Sequence, residues 1–186
     1  MKTALVLIDI QNDYFPGGSM ELEGSIEAGR RAGQLLSAFR EWRLPLVHVQ
    51  HLSLRPGATF FLPDTEGVEI HERVRPRSGE NVIQKHYPNS FRDTGMLACL
   101  QEQPIDRLVI AGMMTHMCID ATTRAAFDLG FECWVAEDAC ATRALLYKGR
   151  QIPAEAVHLS FLAALDGIYA RVLRTDEIIA QLSTDS

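Results

Sequence analysis

Along this chain, short unbroken apolar runs alternate with stretches in which apolar residues recur every third or fourth position. The runs read as strands buried on both faces, and the stretches as amphipathic helices. The strands fall at Thr3-Ala-Leu-Val-Leu-Ile, ended by Asp9; at Pro45-Leu-Val-His-Val-Gln; at Val82-Ile-Gln-Lys85; at Leu108 to Ala111; at Trp134 to Asp138; and, shorter, at Ala170 to Arg174. A helix capped by Ser25 runs through Ala28, Ala32, Leu35, Leu36 and Phe39, and a second covers Thr94 to Gln101. After the fourth run Gly112 lets the chain turn. Thr115 then reads as an N-cap, and Met117, Ala121, Ala125 and Leu129 keep helical spacing until Gly130. Pro153 opens a fourth helix through Val157, Phe161, Leu162 and Leu165, and Thr175 with Asp176 and Glu177 starts a fifth.

Strand and helix alternate throughout, without internal repeats or low-complexity tracts. That pattern predicts one α/β domain over residues 1–186, a three-layer sandwich around a mostly parallel six-stranded sheet. In such sheets ligands bind beyond the carboxyl ends of the strands, where strand order switches. Asp9, Lys85 and Cys118 fall at three such ends. The long segment from Leu52 to Asn81, broken by Pro56, Gly57, Pro63, Gly67, Pro76 and Gly79, reads as a lid, a binding loop or an interface arm.

Composition narrows the function classes. With 186 residues, 47% of them hydrophobic, the chain can bury a full core. A formal net charge of −6 and no Lys/Arg block argue against a nucleic-acid partner. The opening run Ala4 to Ile8 is too short for a membrane span or signal-peptide core, so a cytoplasmic protein without membrane association is expected. Cys99, Cys118, Cys133 and Cys140 show no paired zinc or redox spacing. The six histidines show no ligand spacing, and His48 and His51 sit three apart on a strand, hence on opposite faces. No metal and no cofactor are expected.

Cys99, Cys133 and Cys140 read as small hydrophobes, the last two flanking the fifth strand. Cys118 differs, because the first turn of a helix offers unpaired N–H groups and positive potential to a thiolate. A carboxylate is an awkward neighbour for a thiolate, and a lysine reaching both resolves the conflict. Alone, Asp9 reads as a turn residue and Lys85 as a solvent-seeking strand end. Together with Cys118 they make a chemical unit in which ammonium and helix terminus are expected to lower the thiol pKa.

Four segments carry a resemblance. Leu-Ile-Asp9-Ile-Gln11-Asn12-Asp13-Tyr-Phe, Lys85 with Asn89-Ser90-Phe91, Gly112-Met-Met-Thr-His-Met-Cys118 with Ala121-Thr122, and Asp138-Ala139 with Thr142-Arg143 resemble the isochorismatase-like cysteine hydrolases. That group includes nicotinamidases, N-carbamoylsarcosine amidohydrolases and isochorismatases. The resemblance covers nearly the whole chain. It implies a triad of Asp9, Lys85 and Cys118, a cis bond at Met113–Met114, and an oxyanion hole of the Met114 and Cys118 backbone N–H groups. It also implies a homo-oligomer acting on a small molecule. The Asp-x-His metal group of nicotinamidases is missing, since the chain reads His48-Val-Gln-His51 there. The activity implied is thioester-mediated hydrolysis of a small amide or other C–N substrate. A vinyl-ether hydrolase using the aspartate as acid, and a non-catalytic ligand-binding module, stand as alternatives. Gln11, Phe15, Phe60, Tyr87, Asn89, Phe91 and His116 are the candidate substrate contacts.

Overall fold

The structure is a computed structural model and describes residues 1–184. In chain order its elements are β1 (Thr3–Ile8), α1 (Ser25–Glu41), β2 (Leu46–His51), β3 (Asn81–Lys85), α2 (Met96–Gln101), β4 (Arg107–Met113), α3 (Asp120–Asp128), β5 (Glu132–Ala141), β6 (Leu145–Tyr147), β7 (Arg150–Ile152), α4 (Ala154–Leu165), β8 (Arg171–Leu173) and α5 (Thr175–Thr184). Six strands form one sheet in the order β3-β2-β1-β4-β5-β8, every pairing parallel.

The unbroken apolar runs exist because both sheet faces are covered. In β1, Leu5 and Leu7 face one layer while Ala4, Val6 and Ile8 face the other. In β4, Val109, Ala111 and Met113 share the first side, and Leu108 and Ile110 the second. Leu35, Leu36 and Phe39 of α1 and Ile178 and Leu182 of α5 close the first face; Met96, Ala126 and Leu162, from α2, α3 and α4, close the second. Burial of each large apolar side chain contributes roughly 1.5–3 kcal/mol, so the two covered faces together hold the sheet between its helices.

From β1 the chain moves outward to β2 and β3, then crosses back to β4 on the other side of β1. The switch in strand order therefore lies between β1 and β4, and their carboxyl ends open a crevice. Gly112 makes the close approach possible. It pairs with Ile8 at φ 139°, and a Cβ there would sit 2.0 Å from the Ile8 carbonyl oxygen.

Several boundaries differ from expectation for identifiable reasons. Gly24, with φ 77°, caps α1, and Ser25 is its first residue. Thr115 does not cap a helix. Its hydroxyl is engaged by the His158 ring at 2.9 Å and the Ala141 carbonyl at 3.3 Å, and Thr115–Ile119 winds as a π-helical turn before α3. Strand β5 is longer than its apolar run, so Cys133 and Cys140 lie buried inside it instead of flanking it. The β6–β7 hairpin was not expected; it turns at Lys148 (φ 49°) and Gly149 (φ 77°), both left-handed.

Candidate active site

Lys85, the last residue of β3, turns inward and is 1% exposed. Its Nζ lies 2.7 Å from Asp9 Oδ2, 3.2 Å from Cys118 Sγ, 3.0 Å from His51 Nδ1 and 3.1 Å from the Tyr87 carbonyl. Asp9 follows β1 at φ 52°, and Cys118 sits in the π turn after β4. The three residues expected to form a chemical unit are thus brought together by one ammonium group. Its three protons face four acceptors.

Burial works against the charge of Lys85, but Asp9 and then Cys118 outweigh it and raise its pKa above the ordinary lysine value. The ammonium is therefore fully charged. Cys118 departs from expectation. Burial, and after it the Asp9 carboxylate, push the thiol pKa well up, and the opposing pull of Lys85 does not compensate. The resting sulfur is a thiol and not the thiolate expected from the helix terminus and ammonium. Asp9 Oδ1 has no hydrogen-bond partner, so the carboxylate keeps one oxygen in reserve beside that thiol.

An Asp9 oxygen, a His51 ring nitrogen and Cys118 Sγ lie within 4.8 Å of one another, a spacing that would suit a cation. The cation standing there is Lys85 Nζ, bonded to all three, so a metal would have to displace it. Burial first, then the charges of Lys85, His86 and Arg55, depress the His51 pKa to about 4 despite the nearby Asp9. The imidazole is neutral and accepts the lysine proton at Nδ1.

Above the sulfur is a pocket of about 170 Å³, lined by Tyr14, His51, Phe60, Phe61, Tyr87 and Met117 among others. Met114 and Cys118 also line it. The Met113–Met114 peptide is cis, and the Met114 carbonyl accepts from the Met117 and Ile119 amides at 3.0 and 3.3 Å, which ties it into the turn. The segment after β2 covers this pocket in its own chain. Asp13 Oδ2 accepts from the Phe61 amide at 2.6 Å, and the Tyr14 ring meets Phe61 edge-on at 4.6 Å between centroids.

Of the seven candidate substrate contacts, Phe60 and Tyr87 line the pocket and the other five do not. Gln11 is a wholly buried clamp. Its Oε1 accepts from the His51 amide at 2.7 Å, and its Nε2 donates to the His51 and Val68 carbonyls at 2.9 and 2.7 Å. Phe15 stacks on His71 at 3.6 Å. Asn89 accepts from the Phe91 amide in a local turn, and Phe91 stacks on Phe131. His116 binds the Thr142 hydroxyl at 2.6 Å and packs on Phe161. Phe61, which the sequence offers beside Phe60 as a pocket wall, lines it too, whereas the sequence gives Tyr14, Arg55 and Met117 no pocket role and reads His51 only against a metal. Tyr14 carried a signal, being an aromatic in the loop that follows Asp9; burial, then Cys118 and Asp9, raise its pKa well above the usual phenol value.

The isochorismatase domain model matches residues 3–175. An isochorismatase family protein of Bacillus subtilis, YddQ, is 52% identical over 179 residues, covering 96% of this chain and 99% of that protein. A crystal structure of an isochorismatase hydrolase from Oleispira antarctica superposes with a TM-score of 0.93 at 50% identity, covering 96% of both chains. Maleamate amidohydrolase of Pseudomonas putida is 29% identical over 156 residues, 76% of this chain and 73% of that enzyme.

Proposed function

The chain belongs to the isochorismatase family and is a hydrolase, and from that premise we propose that it is a cysteine-dependent amidohydrolase of small amides. One observation carries the reading: a single buried ammonium touches a carboxylate and a thiol at the floor of a small pocket. A vinyl-ether hydrolase working through an acid has no use for a sulfur held at that point. The amidohydrolase among the relatives lends support.

In the proposed mechanism the substrate carbonyl settles over Cys118. Asp9 takes the Sγ proton as sulfur attacks the carbonyl carbon, so the thiolate exists only while substrate is present. Lys85 stays protonated and follows the negative charge from carboxylate to sulfur, to which it is already hydrogen-bonded. The backbone N–H groups of Met114 and Cys118 receive the developing oxyanion. Asp9 returns its proton to the nitrogen, the C–N bond breaks, and ammonia or an amine leaves. Water then gives a proton to Asp9 and attacks the thioester carbon; the C–S bond breaks, and that proton restores the thiol.

The test is ammonia release from a panel of short amides by the wild-type and Cys118→Ala proteins, with mass spectrometry of a quenched reaction. Loss of a nucleophile that acts with its base costs on the order of 10⁴-fold or more, and a covalent acyl adduct on Cys118 is expected in the wild type. Turnover that survives Cys118→Ala, with pyruvate released from isochorismate, would establish the vinyl-ether reaction instead.

A further inference from the structure

Two of the polar groups that line the pocket, His51 and Arg55, are fixed as donors, and they narrow the substrate. Lys85 is an ammonium and can only donate, so His51 Nδ1, 3.0 Å from its Nζ, must present its lone pair. In a neutral imidazole the single proton then resides on Nε2, the remaining polar atom of a pocket-lining ring. Lys85 thereby fixes His51 as a donor toward the pocket.

Arg55 is the second donor. It lines the same pocket, and its charge is close enough to depress the His51 pKa. Arg31, Arg40 and Arg124 each bind a carboxylate of the chain, whereas the Arg55 guanidinium has no ion-pair or hydrogen-bond partner among the described residues. No aspartate or glutamate lines the pocket among the described residues, and Asp9 beneath it is already paired with Lys85. A chain of net charge −6 therefore places an uncompensated cation at the mouth of its site.

We infer that the substrates are short amides bearing a carboxylate, which Arg55 and the Nε2–H of His51 receive while the amide carbonyl lies over Cys118. This rests on the amidohydrolase reading and adds the substrate class. A guanidinium fork matches a carboxylate in two parallel hydrogen bonds. The small volume beneath Phe60 and Phe61 limits the chain between the two ends.

Two measurements test the inference. Calorimetry with succinate, a product-like probe, needs no turnover: it should bind the wild type, and Arg55→Met should weaken it by about tenfold or more, with Arg55→Lys intermediate. Kinetics with succinamate and the neutral butyramide should show kcat/KM favouring the acid by about 100-fold. In Arg55→Met that advantage should collapse, the loss for succinamate falling on KM more than on kcat. Arg55 is exposed, so the variant should fold. No succinate binding to the wild type, equal binding by both proteins, or equal turnover of the two amides overturns the carboxylate inference and leaves the amidohydrolase reading standing. Turnover unaffected by Cys118→Ala fails that reading itself.

Discussion

Lys85 Nζ donates to Asp9 Oδ2 across 2.7 Å, and neither side chain has any solvent exposure. Two desolvated charges cost several kcal/mol each, repaid only while they face one another. Lys85→Met is expected to destabilise the fold by roughly 3–5 kcal/mol in urea unfolding, because it strands a buried carboxylate. The double variant Lys85→Met with Asp9→Asn should recover much of that stability, since no charge is left unpaired. Turnover should be lost in both. Recovered stability with no recovered activity separates the chemical role of the pair from its structural one.

The histidines make stability depend on pH in a definite direction. Burial is the largest cause lowering the pKa of His51, His48, His71, His116 and His158, in the first of these to about 4. In the unfolded chain they titrate near ~6.5. As pH falls below that value the unfolded state takes protons that the folded state refuses. Stability is therefore full above pH ~6.5 and is lost progressively toward pH 4. His51 alone contributes on the order of 1–3 kcal/mol across that window, after allowance for its partial exposure. Urea titrations at pH 7, 6 and 5 should show the slope, and His51→Gln should flatten part of it.

Asp13 ties the covering segment down. Its Oδ2 accepts from the buried Phe61 amide and its Oδ1 from the Ser19 amide at 3.0 Å, while Gly67 packs against the carboxylate so closely that a Cβ would lie 2.2 Å from Oδ1. Asp13→Ala leaves the Phe61 donor unsatisfied at roughly 1–3 kcal/mol. The local outcome should exceed the global one: faster proteolysis between residues 52 and 68, and a raised KM with a smaller change in kcat. Limited digestion followed by mass spectrometry locates the cut.

Gly112→Ala should fail for a reason visible in the backbone. The new Cβ would meet the Ile8 carbonyl oxygen at 2.0 Å and hold a residue at φ 139°, where side chains are strained. Separating β1 from β4 is expected to cost more than about 3 kcal/mol and to abolish turnover. Gly17→Ala is the control, because it has positive φ but open space around it. It should cost only about 1 kcal/mol in the same thermal unfolding series.

The parts of this molecule legible in its sequence are those set by local pattern. β1 and β4 show as unbroken apolar runs because both faces are covered, and Asp9, Lys85 and Cys118 show because each stands at or just past the carboxyl end of a strand. What stayed hidden depends on partners far along the chain. Thr115 has the spacing of a cap, yet its hydroxyl is claimed by His158, 43 residues on. Gln11 and Phe15 look like pocket residues in a loop near the crevice. Their partners are His51, at the end of β2, and Val68 and His71, from a segment with no periodicity to place it. His51 was weighed only as a metal ligand, because nothing local reveals that a lysine reaches its ring. The raised thiol pKa is not legible in the sequence, because the burial that causes it is a tertiary property.

The strand order also makes the site divisible. Asp9 and Lys85 precede α2, Cys118 follows β4, and the parallel pairing of β1 with β4 is one of the seams that bring the two groups together. A break in the connection between Gln101 and Arg107 would leave acid and ammonium in one fragment and sulfur in the other, each chemically inert. Activity regained on mixing the halves would register their reassociation across the seam between β1 and β4.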